Sequence, residues 1–354
     1  MDPSDAILSP LAYVSGDQLY FVHEGEEGHI TEQWAQWKVS VSAAQNYLFT
    51  MEVTSTNEQS YRISIIDSGD NTVAVYDKNP GSGGKTLTHY FYLTEGTYFV
   101  KVENTYNWSN GHMVSLAVSN PPEGMITLDE AGEPETVNGI ISDNKDQAGK
   151  TIQLIRTIKA GMYNTICLPF DVSSSQCKEI FGNEVQLRTL GSADIEEGGF
   201  VLNLNFNSAS DIYPGTPYLI KTTRDIVNPV FTGVEIKTTD PDGTYKANAN
   251  FVGNFVKGTI PADENNLFLG ANNTLYFPTT ATEIKGMRAY FIIHDAPAGA
   301  IKRARIVEGS QVATDIELVE SQEPQAKSQK MIVNGQLYIM YEGQMYNVQG
   351  LRIK

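Results

Sequence analysis

The chain has 354 residues, 41% of them hydrophobic, and carries 25 basic against 42 acidic side chains for a formal charge of −17. Hydrophobic cores stop growing beyond ~250–300 residues, so two or three domains are expected. No apolar run approaches the ~20 residues that span a bilayer as a helix. An acidic chain is also repelled by phosphate backbones and anionic head groups, which argues against nucleic acid and bare membrane surfaces as partners.

Side-chain alternation with a period of two dominates, and the fold class expected from it is all-β. Near the start, Ala35, Trp37, Val39 and Val41 share one parity and Trp34, Gln36, Lys38 and Ser40 the other, which predicts Trp37 inside and Trp34 outside. Tyr47, Phe49, Met51 and Val53 repeat the pattern. Further strands are predicted over 61–66, 72–76, 86–93, 97–103 and 112–118, with turn clusters between them, as in a β-sandwich ending near Pro121. Residues 122–135 lose the alternation and read as a linker.

A second strand-rich block is expected over 136–308. It holds one short, largely solvent-flanked helix, capped at its start by Ser173 or Ser174 and closed by Gly182. Residues 309–330 are polar and read as a tether, and 331–354 as a small hairpin with a tail. Cys167 and Cys177 are too few for a disulfide framework, and packed free thiols are the favoured reading. No charged-then-apolar leader opens the chain, so a signal peptide is expected to be absent from this sequence or already removed.

Three stretches carry a resemblance. Glu32–Val41, with Ala44, Tyr47 and Leu93–Val102, resembles jelly-roll modules of the carbohydrate-binding module family 6 and 35 type. Pre-peptidase C-terminal domains share the Gly96-Thr97-Tyr98 strand. Tyr163–Asp171, Pro214–Lys221 and Leu269–Tyr276 are similar to a module recurring in large exported proteins of Bacteroidales. Tyr346–Lys354 resembles the tails of such proteins, some of which are sorting signals. The resemblance implies two jelly-roll-like sandwiches in tandem plus the terminal hairpin, an extracellular or cell-surface location, and glycan capture by the first sandwich.

Modules of that type stack sugar rings on exposed aromatics, while neighbouring amides and hydroxyls bond the sugar hydroxyls. The candidates here are Trp108 with Tyr106, Asn107 and Asn110 in one polar connection, and Trp34 on its strand. Other motifs are weaker. His23–His29 alternates histidines and carboxylates with glycines but matches no metal cage, so no metal site is assigned there; a structural calcium in the first sandwich is implied by the resemblance alone. Asn79–Thr86 nearly spells a phosphate loop, yet a strand rather than a helix follows it. Asp240–Gly243 and Asp263–Asn266 read as turns.

No Gly-x-Ser-x-Gly elbow and no His-Glu-x-x-His helix is present. The expectation is therefore a non-catalytic protein that binds a polysaccharide or other glycan. The alternatives are a structural or adhesive surface protein with a protein partner, and an accessory to polysaccharide hydrolysis.

Overall fold

The protein is all-β with two helices in this computed structural model, which describes residues 1–21, 33–54, 58–105, 111–196, 200–263, 265–294, 301, 303–308, 311–317, 328–333, 336–341, 344–347 and 352–353. No helix among these is long and apolar enough to cross a membrane.

The N-terminal sandwich is built from β1 (Ile7–Leu8), β2 (Ala12–Ser15), β3 (Gln18–Phe21), β4 (Trp34–Val41), β5 (Gln45–Thr54), β6 (Tyr61–Asp67), β7 (Thr72–Lys78), β8 (Lys85–Leu93), β9 (Gly96–Asn104) and β10 (Gly111–Ser119). They form two five-stranded sheets, ordered β1-β4-β9-β6-β7 and β2-β3-β10-β5-β8, in which every pair is antiparallel. Alternation sends Ala35, Trp37, Phe49, Met51, Ile63, Val100 and Leu116 into one core. Trp37 is buried as its parity requires, and its indole N–H donates to the carbonyl of Asp2 at 2.9 Å, so the one polar atom of the ring is satisfied. Residues 79–84 join β7 to β8 as a turn-rich loop and are followed by a strand, not a helix, so no phosphate loop forms.

The segment read as a linker is structured. β11 (Ile126–Asp129) pairs in parallel with β12 (Lys150–Ile155), and α1 (Pro134–Asp143) lies between them. Leu128, Val137 and Ile141 reach the same core as Ile152 and Leu154. The signal was present in Pro134, which suits the first helical turn, and in Val137, Ile140 and Ile141 at helical spacing. The turn residues on either side obscured it.

Beyond this layer lies a second sandwich. A six-stranded sheet, ordered Asn164–Cys167, Pro217–Lys221, Gln186–Ile195, Val201–Ala209, Arg303–Glu308 and Gln311–Glu317, encloses with a five-stranded one the core of Leu204, Phe206, Leu219, Phe251 and Phe291. The rings of Phe251 and Phe291 stack at 4.5 Å. Gly253 permits close approach here, since a Cβ would run into the sulfur of Cys167. Gln311–Glu317 corrects the tether reading: a strand at the sheet edge is held by main-chain bonds to Arg303–Glu308 and needs few apolar side chains. The terminal hairpin gains a strand on each side, Ser328–Val333 and Arg352–Ile353, making four.

Helix α2 (Ser174–Phe181) has a full capping box, with Ser173 and Gln176 satisfying each other's backbone ends, and stops at Gly182 with φ 100°. It is not flanked mainly by solvent, because Cys177 and Phe181 enter the core. On its outer side Glu179 accepts from the Tyr76 hydroxyl at 3.2 Å and from Lys78 at 2.8 Å, across to the first sandwich. Asn46 adds a second tie, donating to the carbonyl of Asn228 at 2.9 Å.

Cys167 and Cys177 are free and buried. Burial pushes both thiols up, that of Cys177 to about 12, so neither forms a thiolate at neutral pH.

One ion cluster lies at the heart of the second unit. The guanidinium of Arg156, fully enclosed, donates to the carbonyls of Met287 at 2.7 Å and Thr165 at 2.6 Å and faces Glu130 at 3.4 Å. Glu130 also receives Arg288 at 2.7 Å and Lys285 at 3.2 Å. Burial, then Arg288, pushes Arg156 down to about 9, with Glu130 opposing, so it stays charged at neutral pH. Removing the carboxylate strands an enclosed cation. Glu130→Ala is expected to lower unfolding free energy by ~3–5 kcal/mol in urea titrations. A loss below ~1 kcal/mol would show that Arg156 is neutralised by other means.

Candidate functional site

Four connections of the N-terminal sandwich gather at one end, since β3, β5, β7 and β9 finish there and β4, β6, β8 and β10 begin there. Buried amides make the floor beneath them. The Tyr61 hydroxyl donates to Gln59 at 2.7 Å, Gln59 donates to the carbonyl of Gly83 at 3.1 Å, and Asn104 donates to the side chain of Gln33 at 2.7 Å. The N–H of Asn104 donates to the carbonyl of Gln33, and that of Thr105 to the carbonyl of Ser60. Enclosed amides this well partnered hold the roots of adjoining connections in one arrangement.

Of the residues singled out from the sequence, Trp34 lies at this end, opposite Glu103 across the β4–β9 pair. It is half-buried and faces outward as its parity requires, but Lys101 sits over the ring at 5.1 Å and is itself tied to Glu103 at 2.8 Å. One ring face therefore already holds a cation. Tyr106, Asn107, Trp108 and Asn110 lie outside the described residues, as does His23–His29. The roots of the 106–110 connection, Thr105 and Gly111, are placed: the connection links the sheet of Trp34 to the opposite sheet.

On the outer face of that opposite sheet is a feature missed in the sequence reading. Tyr13, Tyr20 and His112 stand side by side on β2, β3 and β10 as direct cross-strand neighbours. Tyr13 and Tyr20 stack at 5.1 Å with planes 10° apart, and His112 meets Tyr20 at 4.3 Å. Tyr13 is 48% exposed. Burial holds the His112 imidazole below its ordinary value, so the row is uncharged at neutral pH. Polar groups flank it: Gln18 accepts from the Tyr20 hydroxyl at 3.2 Å, and Ser115 donates to Glu52 at 3.2 Å. The signal was Gly16-Asp17 between two alternating runs, a two-residue hairpin whose first turn residue has φ 61°.

Among the described residues no group of three or more His, Cys, Asp or Glu could hold a metal ion. Asp240 and Asp263 lie in connections stabilised by their own bonds, the carbonyl of Asp240 accepting from the Thr238 hydroxyl at 2.8 Å and Asp263 from the Asn265 N–H at 2.8 Å. Gly243 and Asn266 begin strands, and Glu264 lies outside the described residues.

No family model and no curated protein matches the chain. Among solved structures it is similar to a carbohydrate-binding module from the lichenase 5A of Cellvibrio mixtus in complex with cellotriose, at 12% identity and TM-score 0.27 over 34% of this chain and 95% of that one. It is similar also to the mannan binding module from Man5C, at 14% identity and TM-score 0.27 over 34% and 97%. A family 35 carbohydrate binding module from Clostridium thermocellum aligns at 16% identity and TM-score 0.26, again over 34% and 97%. TM-scores this low carry no argument for this chain, and the sandwich architecture rests on the strand order and register given above.

The amide floor makes a direct prediction. Asn104→Ala leaves the Gln33 side chain without that donor in an enclosed setting, and is expected to cost ~1–3 kcal/mol of stability in thermal or urea unfolding. A neutral effect would show that water replaces the lost amide.

Proposed function

We propose that the protein is an exported or cell-surface, non-catalytic glycan-binding protein whose N-terminal sandwich takes a polysaccharide chain at its loop end. The observation that carries this reading is the Tyr13–Tyr20–His112 row, a partly exposed aromatic ridge of two stacked phenol rings and an imidazole tilted 59° to that of Tyr20, beside hydrogen-bonding side chains. The C–H face of a pyranose packs on such rings through dispersion and hydrophobic contact, and groups like Gln18, Glu52 and Ser115 bond its hydroxyls. An uncharged row also keeps its affinity independent of salt, as suits a neutral sugar.

The connection bearing Tyr106, Asn107, Trp108 and Asn110 is rooted beside this row, because Gly111 pairs with Phe21 and His112 with Tyr20. Trp108, Tyr106, Asn107 and Asn110 are proposed as further ligand-binding residues. Trp34 is assigned a lesser role, since Lys101 occupies one face of its ring. The likeness of Tyr346–Lys354 to exported-protein tails supports the location.

The test is calorimetric titration of the full chain against a panel of soluble polysaccharides. Tyr20→Ala and Trp108→Ala are each expected to weaken binding about tenfold or more, and Trp34→Ala less than either. The reading fails if no polysaccharide binds, or if both the Tyr20 and Trp108 variants bind as the parent does.

A further inference from the structure

The N-terminal sandwich meets the second unit along its open edge, where β7 and β8 end their respective sheets. Helix α2 and the segment 224–232 cover that edge and leave a cavity of about 130 Å³. Its polar lining is unusual in what lacks a partner. The carbonyl of half-buried Arg224 accepts from the Thr222 hydroxyl at 2.8 Å, but its guanidinium makes no hydrogen bond or ion pair among the described residues. Neither nitrogen of His89 makes a hydrogen bond among the described residues, although its ring stacks on Tyr76 at 4.1 Å and meets Phe91 at 4.7 Å. The Tyr90 hydroxyl is likewise without a partner among the described residues.

The other charged groups nearby are already engaged. Glu179 takes Tyr76 and Lys78, Asp225 takes Lys159 at 2.6 Å and the N–H of Ala160 at 2.9 Å, and Asp77 takes Arg62 at 2.7 Å. The Asp77 carboxylate acts on Arg224 from a distance, and the guanidinium keeps its hydrogen-bonding fork unfilled among the described residues. A guanidinium with its fork unfilled, held away from bulk water, matches a carboxylate, which it binds through two parallel hydrogen bonds. A neutral imidazole and a phenol beside it suit the hydroxyls of the same ligand, because each can donate or accept. The volume holds several waters' worth of ligand, the scale of a small molecule.

We infer that the junction cavity is a binding site for a small sugar acid, with Arg224 bonding the carboxylate and His89 and Tyr90 the hydroxyls. The site is separate from the loop-end surface and does not depend on it.

The probe is D-galacturonate, with D-galactose as its neutral counterpart and inorganic sulfate as a bare anion, each titrated into the full chain by calorimetry. Saturable binding of galacturonate without binding of galactose is expected. Arg224→Gln should weaken it about tenfold to a hundredfold while leaving the melting temperature unchanged, because the arginine side chain makes no hydrogen bond or ion pair among the described residues and the substitution keeps its main-chain bond. Arg224→Lys should lose part of the affinity, since it keeps the charge and lacks the fork. Retained affinity in Arg224→Gln, or no saturable galacturonate binding, overturns the proposal. Competition by sulfate as strong as by galacturonate also overturns it, because the cavity would then read charge alone. A fall in melting temperature for Arg224→Gln would show the arginine to be a structural group instead.

Discussion

Glu130 and Arg156 set the frame of the second unit. Arg156 sits where β12 gives way to the next short strand, and its fork reaches two carbonyls, those of Thr165 and Met287, that belong to different strands and turns. Met287 is in the left-handed region at φ 55°, unusual for such a side chain, and the bond from Arg156 together with its own complete burial holds it there. Glu130 closes the arrangement from the end of β11 through its side chain, and its carbonyl accepts from the N–H of Gly286 at 2.7 Å. One carboxylate thus ties the first segment of the unit to residues 285–288, near its last strands. Lys285 and Arg288 are only partly enclosed and keep contact with solvent, so the cluster's excess positive charge is not carried wholly inside the protein.

The N-terminal sandwich solves the corresponding problem with neutral groups. Its enclosed polar residues Gln33, Gln59 and Asn104 lie under the loop end and pair with one another or with backbone. Amides carry a smaller desolvation cost than charges and still fix direction, so the roots of the connections are set without a net field at the surface above. Electrostatics are instead concentrated at the junction, where Arg224 lies near His89 and Lys78.

The junction couples the two units through few bonds, chiefly those of Glu179 and Asn46. Its imidazole is pushed down to about 3, by burial first and then by Arg224 and Lys78, so it is neutral throughout the physiological range. Its contribution to stability is present above the ordinary histidine value and lost as pH falls from there toward 3. An interface built on a stacked neutral imidazole therefore weakens progressively as the pH falls below the ordinary histidine value.

Much of the strand layout was legible from alternation, because in a sandwich each strand has one wet and one dry face and its own residues record which is which. Trp37 inside and Trp34 outside and the capped helix ended by Gly182 follow from residues close in the chain. What alternation could not show is whatever depends on distant segments meeting. Tyr13, Tyr20 and His112 form a row only through the register of three strands, and the edge strand Gln311–Glu317 is recruited by main-chain bonds that leave no mark on its side chains. The unfilled guanidinium of Arg224 and the stacking of His89 on Tyr76 are likewise properties of packing. Local sequence determines which face a residue turns inward, but only the closed tertiary fold decides which polar groups find partners and which are left to bind something else.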